Sequence, residues 1–114
     1  MQVIIDISFI LHCIRKNADF ISQLEGRGFR INIPREVLQE LRNLHHHVKT
    51  SREDKEKIGK ILNILDDHKR FKRISAGQGK MSDWLLKKDG EGYFIATAES
   101  GIKHKIGNKI VIQE

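Results

Sequence analysis

The feature that most constrains this chain is the order of its sequence periods. Short runs of β-branched and aromatic residues alternate, along its whole length, with stretches whose apolar residues recur every three or four positions. Gln2 to Ile5 is a short run of mostly β-branched residues closed by Asp6 and reads as a buried strand. Phe9, Ile10, Cys13 and Ile14 then follow at helical spacing behind Ser8, a residue type suited to capping. A second helical set runs from about Asn17 to Leu24, stopped by Gly26 and Gly28. Phe29 to Ile33 alternates apolar and polar residues, so a strand is expected there. Pro34 suits the first turn of a helix reaching about Leu44, with Val37, Leu38, Leu41 and Leu44 inward.

The second half repeats the pattern. Ser51 to about His68 predicts a helix whose acidic start (Glu53, Asp54, Glu56) complements its dipole. Phe71 to Ser75 reads as a strand, AGQGK as a loop, and Ser82 to about Lys88 as a helix capped by Ser82. Tyr93 to Thr97 predicts a strand, Ser100 to Ile106 a short helix and Lys109 to Ile112 a final strand. Alternating strands and helices need crossover connections. The expected fold class is therefore α/β, a three-layer α/β/α sandwich on a mostly parallel sheet of about five strands.

A length of 114 residues supports one domain over 1–114, and an apolar share of 39% is enough for a core. The lone Cys13 allows no disulfide framework and reads as a buried small hydrophobe, so a cytoplasmic location is expected. The opening MQVIIDISFILHCI carries Asp6 and lacks a basic leader and a cleavage site. It reads as neither a signal peptide nor a membrane span. A net charge of +6 points to a polyanionic partner, nucleic acid first, against the competing reading of a charge that serves solubility.

Open parallel sheets bind ligands beyond the carboxyl ends of their strands, so acids that follow strands are the first candidates. Asp6 closes the most apolar strand, where it must find a cation, a donor or water. Glu99 follows YFIAT, Glu40 lies between Val37 and Leu41, and Asp83 falls in the first turn of its helix beside Trp84. Singly, Asp83 reads as a helix-start charge, Glu99 as a loop acid and Glu40 as a solvated helix residue. Together, converging carboxylates would repel one another unless a cation sat among them, and oxygen-only ligands suit Mg²⁺ or Mn²⁺.

Four segments carry a family resemblance: VIIDISFIL, IPREVLQEL, KMSDWLLKK and FIATAES. They resemble, in order, the Asp-ended first strand, the P-x-x-V-x-x-E-L helix, the acid-led helix and the A-T-N-D strand end of PIN domains. The nearest likeness is to short archaeal forms and relatives that process ribosomal-RNA precursors. The resemblance implies that Asp6, Glu40 and Asp83 are metal-binding acids holding Mg²⁺ or Mn²⁺, that Glu99 completes the catalytic cluster, and that Ser8 and Thr97 support it. It also implies that the first and fourth strands are neighbours, so that Asp6 and Glu99 face each other. The chain departs from the pattern at Ala98, where the family has Asn, and at Glu99, where it has Asp; the longer side chain alters any metal geometry.

For binding RNA, the candidates along the site's rim are Lys69, Arg70, Lys72, Arg73, Lys80, Lys87, Lys88, Lys103 and Lys105, each of which could equally be solvated surface. The tract His45-His46-His47 cannot turn three consecutive side chains onto one ion and reads as a helix end or loop. AGQGK lacks the spacing of a phosphate loop. The expected function is a divalent-metal-dependent endoribonuclease, acting in RNA processing or as the toxin of a toxin–antitoxin pair. Its partners would be RNA, a second copy of the chain, an antitoxin or a processing factor, with no membrane. The rival is a catalytically degenerate PIN-like module that binds RNA or protein, whose carboxylates would be splayed. A receiver domain is excluded, since Ile5-Asp6-Ile7 offers one acid where two adjacent ones are needed.

Overall fold

The computed structural model describes residues 1–113. Its elements alternate as expected: β1 (Gln2–Ile5), α1 (Ile7–Arg15), α2 (Phe20–Gly26), β2 (Arg30–Pro34), α3 (Arg35–His46), α4 (Arg52–Leu65), β3 (Lys72–Ile74), α5 (Met81–Gly90), β4 (Phe94–Ala96) and α6 (Ser100–Lys103). The strands form one parallel sheet in the order β3-β2-β1-β4. The chain therefore steps outward from β1 to β2 to β3, then returns across the sheet to the far side of β1. Right-handed crossovers that reverse direction must use the opposite face. Residues of α1 to α4 accordingly share one core with Val3, Ile5, Ile31, Ile33 and Ala96. Leu85 of α5 and Ile102 of α6 pack with Ile4 and Ile95 on the other side.

The two cores are unequal. The first holds Phe9, Phe20, Leu24, Leu41, Leu65 and Phe71, all nearly or fully buried, with Phe9 and Phe20 edge to face at 5.6 Å. Each such side chain contributes roughly 1.5–3 kcal/mol by leaving water. The second rests on five buried residues, with Trp84 and Tyr93 half-buried at its margin.

Several boundaries differ from the sequence expectation. Asp6, not Ser8, caps α1: its carboxylate accepts from the Phe9 amide at 2.8 Å, and Ser8 lies inside the helix. Residues 17–19 are not helical, because Asn17 turns the chain with φ 53° and Asp19 supplies the cap of α2. Gly28, at φ 86°, makes the reversal from α2 into β2 that a side chain would strain. Ser82 does not cap α5, which begins at Met81 behind Lys80. His45 and His46 end α3 and His47 is its cap residue.

The expected fifth strand at Lys109–Ile112 does not form among the described residues. A single parallel bridge joins Ile95 to Lys109. The backbone beyond it is taken by α2 instead: Gln23 bonds both the carbonyl and the amide of Gln113 at 2.8 Å, and Arg27 donates to the Val111 carbonyl at 2.7 Å. Side chains thus satisfy the groups that a strand ladder would have used. No described helix is long and apolar enough to cross a membrane.

Candidate functional site

The strand order turns back between β1 and β4, and the crevice beyond their carboxyl ends is where a ligand of such a sheet is expected. Asp6 sits there, only 4% exposed. The register that pairs Ile5 with Ala96 brings the residue after each strand together, and the Asp6 amide extends the pairing to the Ala96 carbonyl at 3.1 Å. The Asp6 carboxylate is held on both oxygens. Oδ1 accepts from the Phe9 amide and from Ser8 Oγ, each at 2.8 Å, and Oδ2 accepts a short bond from Thr97 Oγ1.

Two further bonds knit the site. The Ala98 amide donates to Ser8 Oγ at 3.0 Å, and the Glu99 amide donates to Thr97 Oγ1 at 3.1 Å. Ser8 and Thr97 therefore do more than neighbour the acid: they fix the turn after β4 against the start of α1. Beside them opens a cleft of about 600 Å³ lined by Ser8, His12, Arg15, Glu40, Asn43 and Ala98, with Ile7, Leu11 and Leu44 as apolar wall. A tighter cavity of about 150 Å³ lies behind, where Thr97, Lys103 and Cys13 meet Ile110 and Ile112.

The four candidate acids share the carboxyl end of the sheet but not one point. Glu40, Asp83 and Glu99 are exposed while Asp6 is buried. Among the described residues no three His, Cys, Asp or Glu side chains lie close enough to hold one ion. The donor types, carboxylate and hydroxyl oxygens, are those a hard divalent cation takes. Glu40, which the P-x-x-V-x-x-E-L spacing singled out, does reach the cleft wall that Ser8 also lines.

The basic candidates divide between the two ends of the sheet. Lys80 precedes α5 at the carboxyl end, and Lys103 lines the smaller cavity. Lys69 and Arg70 precede β3 and Lys72 opens it, which puts them at the amino end, away from the rim where they were expected. A strand parallel to β1 starts at the end opposite Asp6, and only strand order and direction reveal that. Two of the candidates are also engaged: Arg70 grips Glu25 with bonds of 2.9 and 3.0 Å, and Arg73 pairs with Asp66 at 3.1 Å. The Glu25 hydrogen bond raises the Arg70 pKa above its ordinary value.

One residue escaped the sequence reading. Glu36, in the first turn of α3, accepts from the Ala76 amide at 3.1 Å and from Ser75 Oγ at 3.3 Å, clamping the AGQGK loop. Partial burial opposes its charge, but hydrogen bonds from its own amide, Ala76, Ser75 and Gly77 outweigh this and hold the carboxyl below its ordinary value of 4.5. An amide of the loop is thus already taken by a carboxylate. Nothing in the spacing of PREV marks this contact, since Glu36 and Ala76 are brought together by the β2–β3 register, which pairs Pro34 with Ile74 two residues before each.

No protein-family model matches the chain, and no curated protein matches it in sequence. Solved structures do. The PIN domain endonuclease Utp24 superposes with a TM-score of 0.66 at 20% identity, over 96% of this chain and 85% of that one. VapBC2 from Rickettsia felis, solved bound to a DNA fragment from its promoter, gives 0.56 at 16% identity over 99% and 100%. At such identities the likeness establishes architecture, and with strand order, crossover faces and the Asp-ended central strand in place, the chain has the PIN-domain fold.

Proposed function

We propose that this chain is a divalent-metal-dependent endoribonuclease whose reaction centre is the cleft beside Asp6. The observation that carries the reading is the Asp6–Ser8–Thr97 network: a buried carboxylate pinned at the sheet's turning point by Ser8, which itself lines a cleft together with Glu40. Similarity to a PIN domain endonuclease supports the same reaction class. Asp6, Glu40 and Asp83, which stand apart, would hold Mg²⁺ or Mn²⁺ only by drawing together around the ion, with Glu99 completing the acidic set. Such an ion, when bound, lowers the pKa of a water and offsets charge on the phosphodiester.

The chain's own groups do the positioning. Ser8 and Thr97 fix the Asp6 carboxylate so that its orientation costs nothing when substrate arrives. Arg15, on the cleft wall, and Lys80, at the same end of the sheet, supply positive charge for the RNA backbone. A protein partner belongs to the proposal too, since one structural relative was solved as the VapBC2 assembly.

A second reading, a binding module that has lost catalysis, is favoured by one observation: three of the four acids stand in solvent and do not gather. Incubation of a labelled structured RNA with Mn²⁺ separates the two. Wild-type protein should cut it, and Asp6→Asn and Glu40→Gln should each lower the rate at least about a hundredfold, a loss of roughly 2.7 kcal/mol of transition-state stabilisation. Equal RNA binding with no cutting by any of the three would make the binding module the better account.

A further inference from the structure

At the amino end of the sheet, the face on the side of α5 and α6 carries several exposed polar side chains. Register places Gln2 beside Arg30, and Asn32 beside Lys72. Tyr93 precedes Phe94, the partner of Val3, and so flanks Gln2 from the other side. Side chains alternate along a strand, and Ile4, Ile95, Ile74 and Tyr93 all belong to the core beneath α5. Gln2, Arg30, Asn32 and Lys72 therefore project on that same face, where Gln2, Arg30 and Lys72 are exposed.

We infer that this face is a second nucleic-acid surface, which binds the phosphodiester backbone of RNA apart from the Asp6 cleft. Arg30 and Lys72 are in no ion pair among the described residues, whereas Arg70 and Arg73 nearby are neutralised by Glu25 and Asp66. Asn32 is fully buried at the margin of the patch and donates to Gln2 Oε1 at 2.7 Å, fixing the Gln2 amide, while its own Oδ1 has no partner. Lys88, 5.3 Å from the centroid of the Tyr93 ring, is itself paired with Glu91 at 3.3 Å and adds no free charge to the basic pair. Two unpaired cations beside a fixed amide suit the phosphodiester backbone of an RNA strand. The strand rise of about 3.3 Å per residue sets Gln2 about 13 Å from the level of Asp6, so a strand held here reaches the cleft only by passing around the sheet.

The inference rests on RNA being the ligand of the chain, and its test is independent of cleavage. Binding of a fluorescein-labelled oligouridine is measured in EDTA across a salt series for wild type, Arg30→Glu/Lys72→Glu and the conservative Arg30→Lys/Lys72→Arg. The charge-reversed pair should lose at least about tenfold in affinity and flatten the salt dependence by about two counterions, while the conservative pair binds as wild type. Circular dichroism confirms that the exposed substitutions leave the fold intact. Unchanged affinity in the charge-reversed protein overturns the inference, as does loss of binding to phosphatidylserine vesicles with RNA binding retained. If wild type never cuts RNA with Mn²⁺ yet the charge-reversed pair loses affinity, the nuclease reading fails and this surface stands.

Discussion

Two carboxylates tie loops down at the carboxyl end of this sheet, and they do so under opposite conditions. Asp6, over β1, is buried and accepts from an amide and two hydroxyls. Glu36, over the β2–β3 side, accepts from an amide and a hydroxyl with its carboxylate largely in water. The motif is nearly the same, but its worth is not. The Phe9 amide and the Thr97 hydroxyl, buried beside Asp6, have no water to turn to if the acid is removed, whereas the donors around Glu36 do. Burial, more than the number of bonds, decides which acid the fold depends on.

That contrast can be broken by substitution. Asp6→Ala should be the most damaging, at about 2–4 kcal/mol by denaturant titration, because it removes the α1 cap and strands the Thr97 and Ser8 hydroxyls. A loss below about 1 kcal/mol would mean that solvent enters the site freely. Thr97→Val keeps the shape and removes one donor to Asp6, and should cost about 1–2 kcal/mol. Asp6→Asn retains an acceptor for the Phe9 amide and should cost less than about 1 kcal/mol, which makes it the clean variant for cleavage assays.

Glu36→Gln should change global stability by less than about 0.5 kcal/mol, since the group is only partly buried and Gln keeps an acceptor for the same donors. Its effect is local and depends on pH. The Glu36 pKa is depressed on folding, so its contribution is complete above about 4.5 and is lost as pH falls through the lower folded value. The protection factor of the Ala76 amide, its exchange rate corrected for the intrinsic pH dependence, should accordingly fall below that pH in wild type, and be lower at every pH in Glu36→Gln. Exchange at the Phe9 amide, behind the buried Asp6, should not follow the Glu36 titration.

Much of this was visible in the sequence, for definable reasons. Periodicity placed every strand and helix that formed, because apolar spacing is a local property. The Asp6 site was visible as an acid closing a fully apolar strand, and Glu40 through its motif. The mistakes fell where two local signals competed. Ser8 and Asp6 are both good caps, and the one whose carboxylate Thr97 also holds became the cap. Lys109 to Ile112 has strand composition, but Gln23 and Arg27 offered its backbone other partners.

By itself the sequence determined the element types, their alternation, the parallel α/β class and the acid at the end of the central strand. Each of these follows from which residues neighbour one another along the chain. Tertiary structure alone decided that Thr97 meets Asp6, that Glu36 holds Ala76, and that Lys72 opens away from the cleft beside Asn32. Those contacts join residues 91, 40 and 40 positions apart, brought together by strand order, and strand order is a property of the packed sheet that no local run of residues encodes.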